Sequence, residues 1–113
     1  MYTLVLSGKI TPKARPRFAF GHAYMPTKYK VWKAGAIASL TQQWAGRDTL
    51  STARIIITLG SKGQRGDLDN ICGSVLDALV QAGVLEDDRL SCVPEIAIKH
   101  LPHESGQNLI MLN

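Results

Sequence analysis

Acidic residues gather in one part of the chain. Asp67-Leu68-Asp69-Asn70 opens the segment, Asp77 follows, and Glu86-Asp87-Asp88 closes it. Asp67 and Asp69 sit where a glycine-rich turn enters a helical pattern. Carboxylates there are favoured by the helix dipole and by the unpaired N–H groups of the first turn, so N-capping is one reading. Capping uses one such residue; here two flank an apolar leucine, and three consecutive acids follow the same helix. Gathered like charges repel unless a cation joins them. Hard divalent ions such as Mg²⁺ take oxygen ligands, usually one or two carboxylates plus waters and substrate phosphates. Such ions support phosphodiester hydrolysis by activating water and stabilising the leaving oxygen. From the residues alone, capping and metal binding both stay open. Asp67 and Asp88 stand at opposite ends of a helix of about fifteen residues, roughly 20 Å long. One ion can take both only if the loop folds back or a second subunit contributes.

The basic residues lie elsewhere. Residues 1–47 hold eight lysines and arginines and no acid, whereas all nine acids come later, against five basic residues. Lys13, Arg15, Arg17, Lys28 and Lys30 surround a proline-rich stretch, and Lys62 and Arg65 punctuate the glycine turn before the acids. That separation suits a polyanion on one part of the molecule and a carboxylate site on another. Phe18, Phe20 and Tyr24 would wedge or stack against bases. The alternative is a solvated basic face with those aromatics in the core. Asp67 to Gly73 does not make a calcium loop, because Ile71 takes a ligand position and Gly73 comes one residue late. The glycine turn lacks the Gly-Lys-Ser/Thr ending of a phosphate-binding loop. His100 and His103 have no further ligands nearby in sequence to complete a zinc site. Cys72 reads as packing and His22 as a surface histidine.

These groups need a scaffold. At 113 residues, 45% hydrophobic and 19% charged, the composition is that of a globular chain, and the expectation is one domain over 1–113. No apolar run reaches the roughly 20 residues of a membrane span. Met1–Ile10 lacks the features of a signal peptide, so Cys72 and Cys92 are expected as reduced thiols in a cytoplasmic setting. Tyr2–Lys9 reads as a strand and Ile10–Pro26 as a long loop. Thr27–Trp44 has helical spacing with Thr27 as N-cap. Thr52–Leu59 reads as a central strand. Asp67–Gln81 reads as a helix with Leu68, Ile71, Val75 and Leu79 as its buried stripe. Leu90–His100 reads as a strand that Pro94 consigns to an edge or a bulge, and Gln107–Leu112 as a last strand. The order predicts an α+β fold: a mixed sheet of about four strands with two helices on one face. Trp32 and Trp44 are read as core or dimer contacts.

The string Asp67-Leu68-Asp69-Asn70, with Leu76-Asp77-Ala78-Leu79 and Gly83-Val84-Leu85-Glu86-Asp87-Asp88, resembles the signature of the RusA-like crossover-junction endodeoxyribonucleases. Lys13-Ala14-Arg15-Pro16-Arg17, with Tyr24-Met25-Pro26 and Tyr29, resembles the N-terminal loop of phage-type members. The resemblance implies a homodimer that binds four-way or branched DNA and cuts it with Mg²⁺, or with Mn²⁺ in its place, in a bacterial or phage-infected cell. It implies Asp67, Asp69 and Asp88 as catalytic metal ligands, to which the residues add Asn70 and Asp87 in support. Lys13, Arg15, Arg17, Lys28, Lys30, Lys62 and Arg65 are the expected DNA contacts. One position departs: the family usually carries a lysine where Gly73 stands, a place from which it would offset phosphate charge. Lys62, Arg65 or a basic residue of the partner is the expected substitute. Two other readings remain: a junction-binding relative impaired in cutting, and a metal-dependent hydrolase of small phosphate compounds.

Overall fold

Alternation of apolar and polar side chains sets the sheet. The computed structural model describes residues 1–113. In chain order its elements are β1 (Tyr2–Ser7), β2 (Arg17–Ala19), β3 (His22–Tyr24), α1 (Thr27–Trp44), β4 (Ile55–Leu59), α2 (Leu68–Gln81), β5 (Ile96–His100) and β6 (Gln107–Leu112). The main sheet has the order β1-β6-β4-β5. β6 runs antiparallel to both β1 and β4, and β5 runs parallel to β4. The fold is α+β with a mixed four-stranded sheet, as the pattern predicts, plus a second, two-stranded sheet of β2 and β3.

Leu4, Leu6, Ile55, Ile57, Leu59, Ile110 and Leu112 point to one face and are buried there. α1 contributes Ala36, Leu40 and Trp44 to that core, and α2 contributes Ile71, Val75, Ala78 and Leu79. Both helices therefore cover the same face. Trp44 is a core residue, and Trp32 packs partly buried against the core. The opposite face leaves Ile56 and Leu109 exposed.

Several expectations shift. The strand expected from Leu90 begins only at Ile96; it is an edge strand, as Pro94 suggests, but the proline precedes it. β4 starts three residues later than expected and is interior. The N-cap of α1 is Pro26, not Thr27, and no side chain caps it. Leu68 does not belong to the buried stripe of α2; it stands 59% exposed in the first turn. Within the expected loop lies a hairpin: Ala19 pairs with His22 across the two-residue turn Phe20-Gly21. Both turn residues have positive φ, 52° and 78°, the backbone that matches the twist of a two-residue hairpin. Phe20 holds it at a cost of about 1 kcal/mol or more, since it has a Cβ.

Candidate nucleic-acid and metal site

Gly66 turns the chain into α2. Its φ is +114°, and a Cβ there would collide with the Pro12 ring, so only glycine admits both the turn and the close approach. Asp67 then occupies the N-cap position in extended conformation, but its carboxylate makes no capping bond. The Asp69 carboxylate accepts the Asn70 N–H at 2.9 Å. Both acids are exposed and neither enters an ion pair. The capping explanation therefore does not account for Asp67. Cys72, one turn on, has its thiol pushed up by burial and then by the negative charge of Asp69. It stays protonated at neutral pH, which fits packing rather than nucleophilic attack.

The acids beyond α2 are arranged differently. Leu85 bridges to Leu50, and the Leu50 N–H donates to Val84 O while the Glu86 N–H donates to Leu50 O. The turn is thus pinned to the segment after α1. Arg89 donates to Asp87 and Glu86 at 2.9 Å each. Asp87 also accepts the Asp88 N–H at 2.7 Å. That backbone bond first, and Arg89 second, hold the Asp87 carboxyl below its ordinary value. Asp87 shapes the turn, and the Asp88 carboxylate is exposed without an ion pair.

No three His, Cys, Asp or Glu side chains of the chain converge on one point. Asp67 and Asp69 share a turn, but one subunit does not gather Asp88 with them. The α2 helix, 14 residues and so roughly 20 Å long, lies between. The donor chemistry still fits a hard cation. Two exposed, unpaired carboxylates offer oxygen ligands, and Mg²⁺ completes its shell with waters and phosphate oxygens.

A second carboxylate centre went unassigned from sequence. Asp77, partly buried on α2, accepts the Tyr29 hydroxyl at 3.0 Å. The Lys13 ammonium lies 3.0 Å from the same carboxylate oxygen and that of Lys33 lies 3.8 Å away. Burial, then the hydrogen bond to Asp77 and its charge, push the Tyr29 phenol well above the tyrosine range. The signal in the sequence was a lone acid in the apolar run Leu76–Val80, since a buried carboxylate needs a partner. Its partners lie 44 to 64 positions away and carry no local mark. At Gly73, where the resemblance leads one to expect lysine, the methylene stem of Lys13 crosses the helix; a Cβ on Gly73 would stand 3.2 Å from Lys13 Cδ.

The basic segment is docked on this helix. The Lys13 N–H donates to Asn70 O at 3.0 Å, and the Ser74 hydroxyl donates to Thr11 O at 2.6 Å. Gln64 clamps Ile10 through both its N–H and its carbonyl, at 2.8 and 2.7 Å. So Asn70 joins the acidic turn to the basic loop through its backbone. Arg15, Arg17, Lys28, Lys30, Lys62 and Arg65 are exposed and carry no ion pair. Lys28 and Arg65 line a cleft of about 300 Å³ with Lys9. Phe18 is 81% and Phe20 97% exposed on the hairpin, with Tyr24 beside them. The reading that buried them in the core does not hold. His103 Nδ1 is taken up by Ser105, and both cysteines are free thiols.

No curated protein matches the chain. The family model for Endodeoxyribonuclease RusA matches residues 7–112. That span takes in the basic segment with its hairpin, the acidic start of α2 and every strand of the main sheet but most of β1, so the chain belongs to the RusA endodeoxyribonuclease family, enzymes that cut DNA at Holliday junctions.

Proposed function

We propose that this protein is a Mg²⁺-dependent endonuclease that resolves four-way DNA junctions as a homodimer. The observation that carries the reading is the docking of a basic, aromatic-tipped segment directly onto the helix whose first turn holds the uncapped Asp67 and Asp69. Asp67 and Asp69 would hold the cation, and Asp88 would complete the set from the partner subunit or a refolded turn. When bound, the cation supplies charge neutralisation at the scissile phosphate and lowers the pKa of a coordinated water. Asn70 keeps the acidic turn against the basic loop, and Asp87 with Arg89 sets the direction of the Asp88 turn. Arg15, Arg17, Lys28, Lys30, Lys62 and Arg65 bind phosphates and fix the strand. Phe18 and Phe20 stack on bases that a branch point leaves accessible. Mn²⁺ would serve in place of Mg²⁺. The setting would be the cytoplasm of a bacterial or phage-infected cell, where recombining DNA is found.

Two considerations support the homodimer, the symmetry of the proposed substrate and the outer sheet face. A four-way junction has two-fold symmetry, and a two-fold dimer supplies paired sites for paired cuts. The sheet face away from the helices, with Ile56 and Leu109 exposed, offers apolar area for an interface.

The test is incubation of purified protein with labelled four-way junction and with linear duplex, with and without Mg²⁺. Paired nicks in the junction only, and only with the ion, are the expected result. Junction binding with no cutting in either Mg²⁺ or Mn²⁺ would reduce the protein to a binding relative. Turnover of small phosphate esters without junction affinity would overturn the reading.

A further inference from the structure

Asp69, Gly73 and Asp77 follow one another at four-residue intervals, so they form a single stripe along α2. The stripe runs from the candidate cation site to the partly buried carboxylate of Asp77. Eight residues of helix separate its ends by about 12 Å. Lys13 lies along it. Its backbone is fastened beside Asp69 by the bond to Asn70 O, its stem crosses the gap at Gly73, and its ammonium rests on Asp77. The gap matters, because a Cβ at residue 73 would stand 3.2 Å from that stem and oblige it to give way.

The charge at the end of the stripe does not cancel. Two ammonium groups, Lys13 and Lys33, share one oxygen of Asp77, and the third neighbour is the neutral Tyr29 hydroxyl. One positive charge is left over. Lys33 is the more enclosed, its side chain 22% exposed and lying over the Tyr29 ring; that of Lys13 is 44% exposed. The surplus charge is therefore presented by Lys13. A DNA strand carries a phosphate for every ~3.4 Å of helix axis, so a strand lying along the stripe with one phosphate at Asp69 presents another, about three to four nucleotides on, at Lys13.

Resting on the endonuclease reading above, we propose that Lys13 grips a phosphate of the cut strand a few nucleotides from the scissile one and that Asp77, across the Gly73 gap, is its positioning residue rather than a metal ligand. Arg15 and Arg17 then serve affinity, and Lys13 serves alignment of the strand for cutting.

The experiment compares single-turnover cutting of a four-way junction at saturating protein with junction affinity measured without metal. Lys13→Gln keeps much of the stem over Gly73 and removes the charge. It should slow cutting about 10- to 100-fold, as expected for loss of a charge-stabilising donor, while affinity falls only about threefold, one counterion's worth. Lys13→Arg should recover most of the rate. Asp77→Asn should slow cutting by about 3- to 10-fold, being one step removed. In metal-free buffer, bound junction should protect the Lys13 amine from acylation more than that of Lys33, read by peptide mass. Cutting by Lys13→Gln within twofold of wild type overturns the proposal. So does a defect confined to affinity, an arginine variant as slow as the glutamine one, or acylation of Lys13 unchanged by junction. A wild-type protein that neither binds nor cuts junctions would instead defeat the endonuclease reading itself; a wild type that cuts beside a normal Lys13→Gln defeats only this inference.

Discussion

Asp67 carries a carboxylate that the fold does not use for itself, and Asp69 spends one oxygen only on the adjacent Asn70 N–H. Neither forms an ion pair, and the N-cap residue does not cap. Asp67→Asn, Asp69→Asn and Asp88→Asn are expected to lower cutting by about 10³-fold or more while junction binding is kept or strengthened, since a charge is removed near phosphates. Gel-shift and cleavage assays on the same preparations check this, and wild-type cutting by any one variant removes that residue from the set. Tyr29 gives a prediction about pH. Its folded value is raised by burial and by Asp77 above the ordinary 10, so its contribution to stability is complete below that value and declines as pH rises past it. Denaturant midpoints of the wild type should therefore fall more steeply between pH 9 and about 11 than those of Tyr29→Phe. The carboxylates at 67, 69 and 88 were legible because they cluster within 22 positions. The Asp77 hub was not, because its partners Lys13, Tyr29 and Lys33 reach it only through tertiary folding. At Gly73 a helix-propensity gain of about 1 kcal/mol for alanine is offset by the Lys13 stem, and Gly73→Ala should gain less than that in thermal unfolding.

The two helices and the main strands were readable from period alone, since Ile55, Ile57 and Leu59 alternate and Ile71, Val75 and Leu79 recur at helical spacing. The β2–β3 hairpin was hidden. Its strands are three residues each, bury almost nothing and give no alternation to read. The mark was Phe20-Gly21, a glycine in a two-residue turn, with phenylalanine in a place that usually takes asparagine or glycine. A strained, exposed aromatic at the tip of a hairpin flanked by Lys13, Arg15, Lys28 and Lys30 points to a ligand rather than to stability. Phe20→Ala is expected to lower affinity for a four-way junction by about fivefold to tenfold, a stacking contribution of roughly 1 kcal/mol, and to leave linear duplex affinity nearly unchanged. Equal losses on both DNAs would return Phe20 to a general contact. Arg15→Ala with Arg17→Ala should reduce the slope of log affinity against log salt by roughly two, measured by fluorescence anisotropy. An unchanged slope would take both residues off the DNA.

At the scale of the whole chain, the expected α+β layers are present, and no helix is long and apolar enough to cross a membrane. What the sequence did not disclose is strand order, because pairing partners lie up to 110 positions apart and no local pattern names them. The apolar outer sheet face gives the dimer prediction: light scattering at micromolar concentration should report twice the 12.3 kDa chain mass, and Ile56→Lys with Leu109→Lys should halve it. A wild-type monomer that still makes symmetric paired cuts would contradict this. The position of β6 has one more consequence. It is the last of these strands to leave the ribosome, yet it lies between β1 and β4, with Tyr2 opposite Leu112. Until residues 107–112 emerge, the first strand has no neighbour and the sheet is open in the middle. Non-local pairing of this kind is slow and late. Both helices pack on that closed sheet, so a chain still lacking residues 107–112 carries the acidic helix, and the basic segment docked on it, without their frame. The sheet on which both helices pack therefore closes only once residues 107–112 have been made.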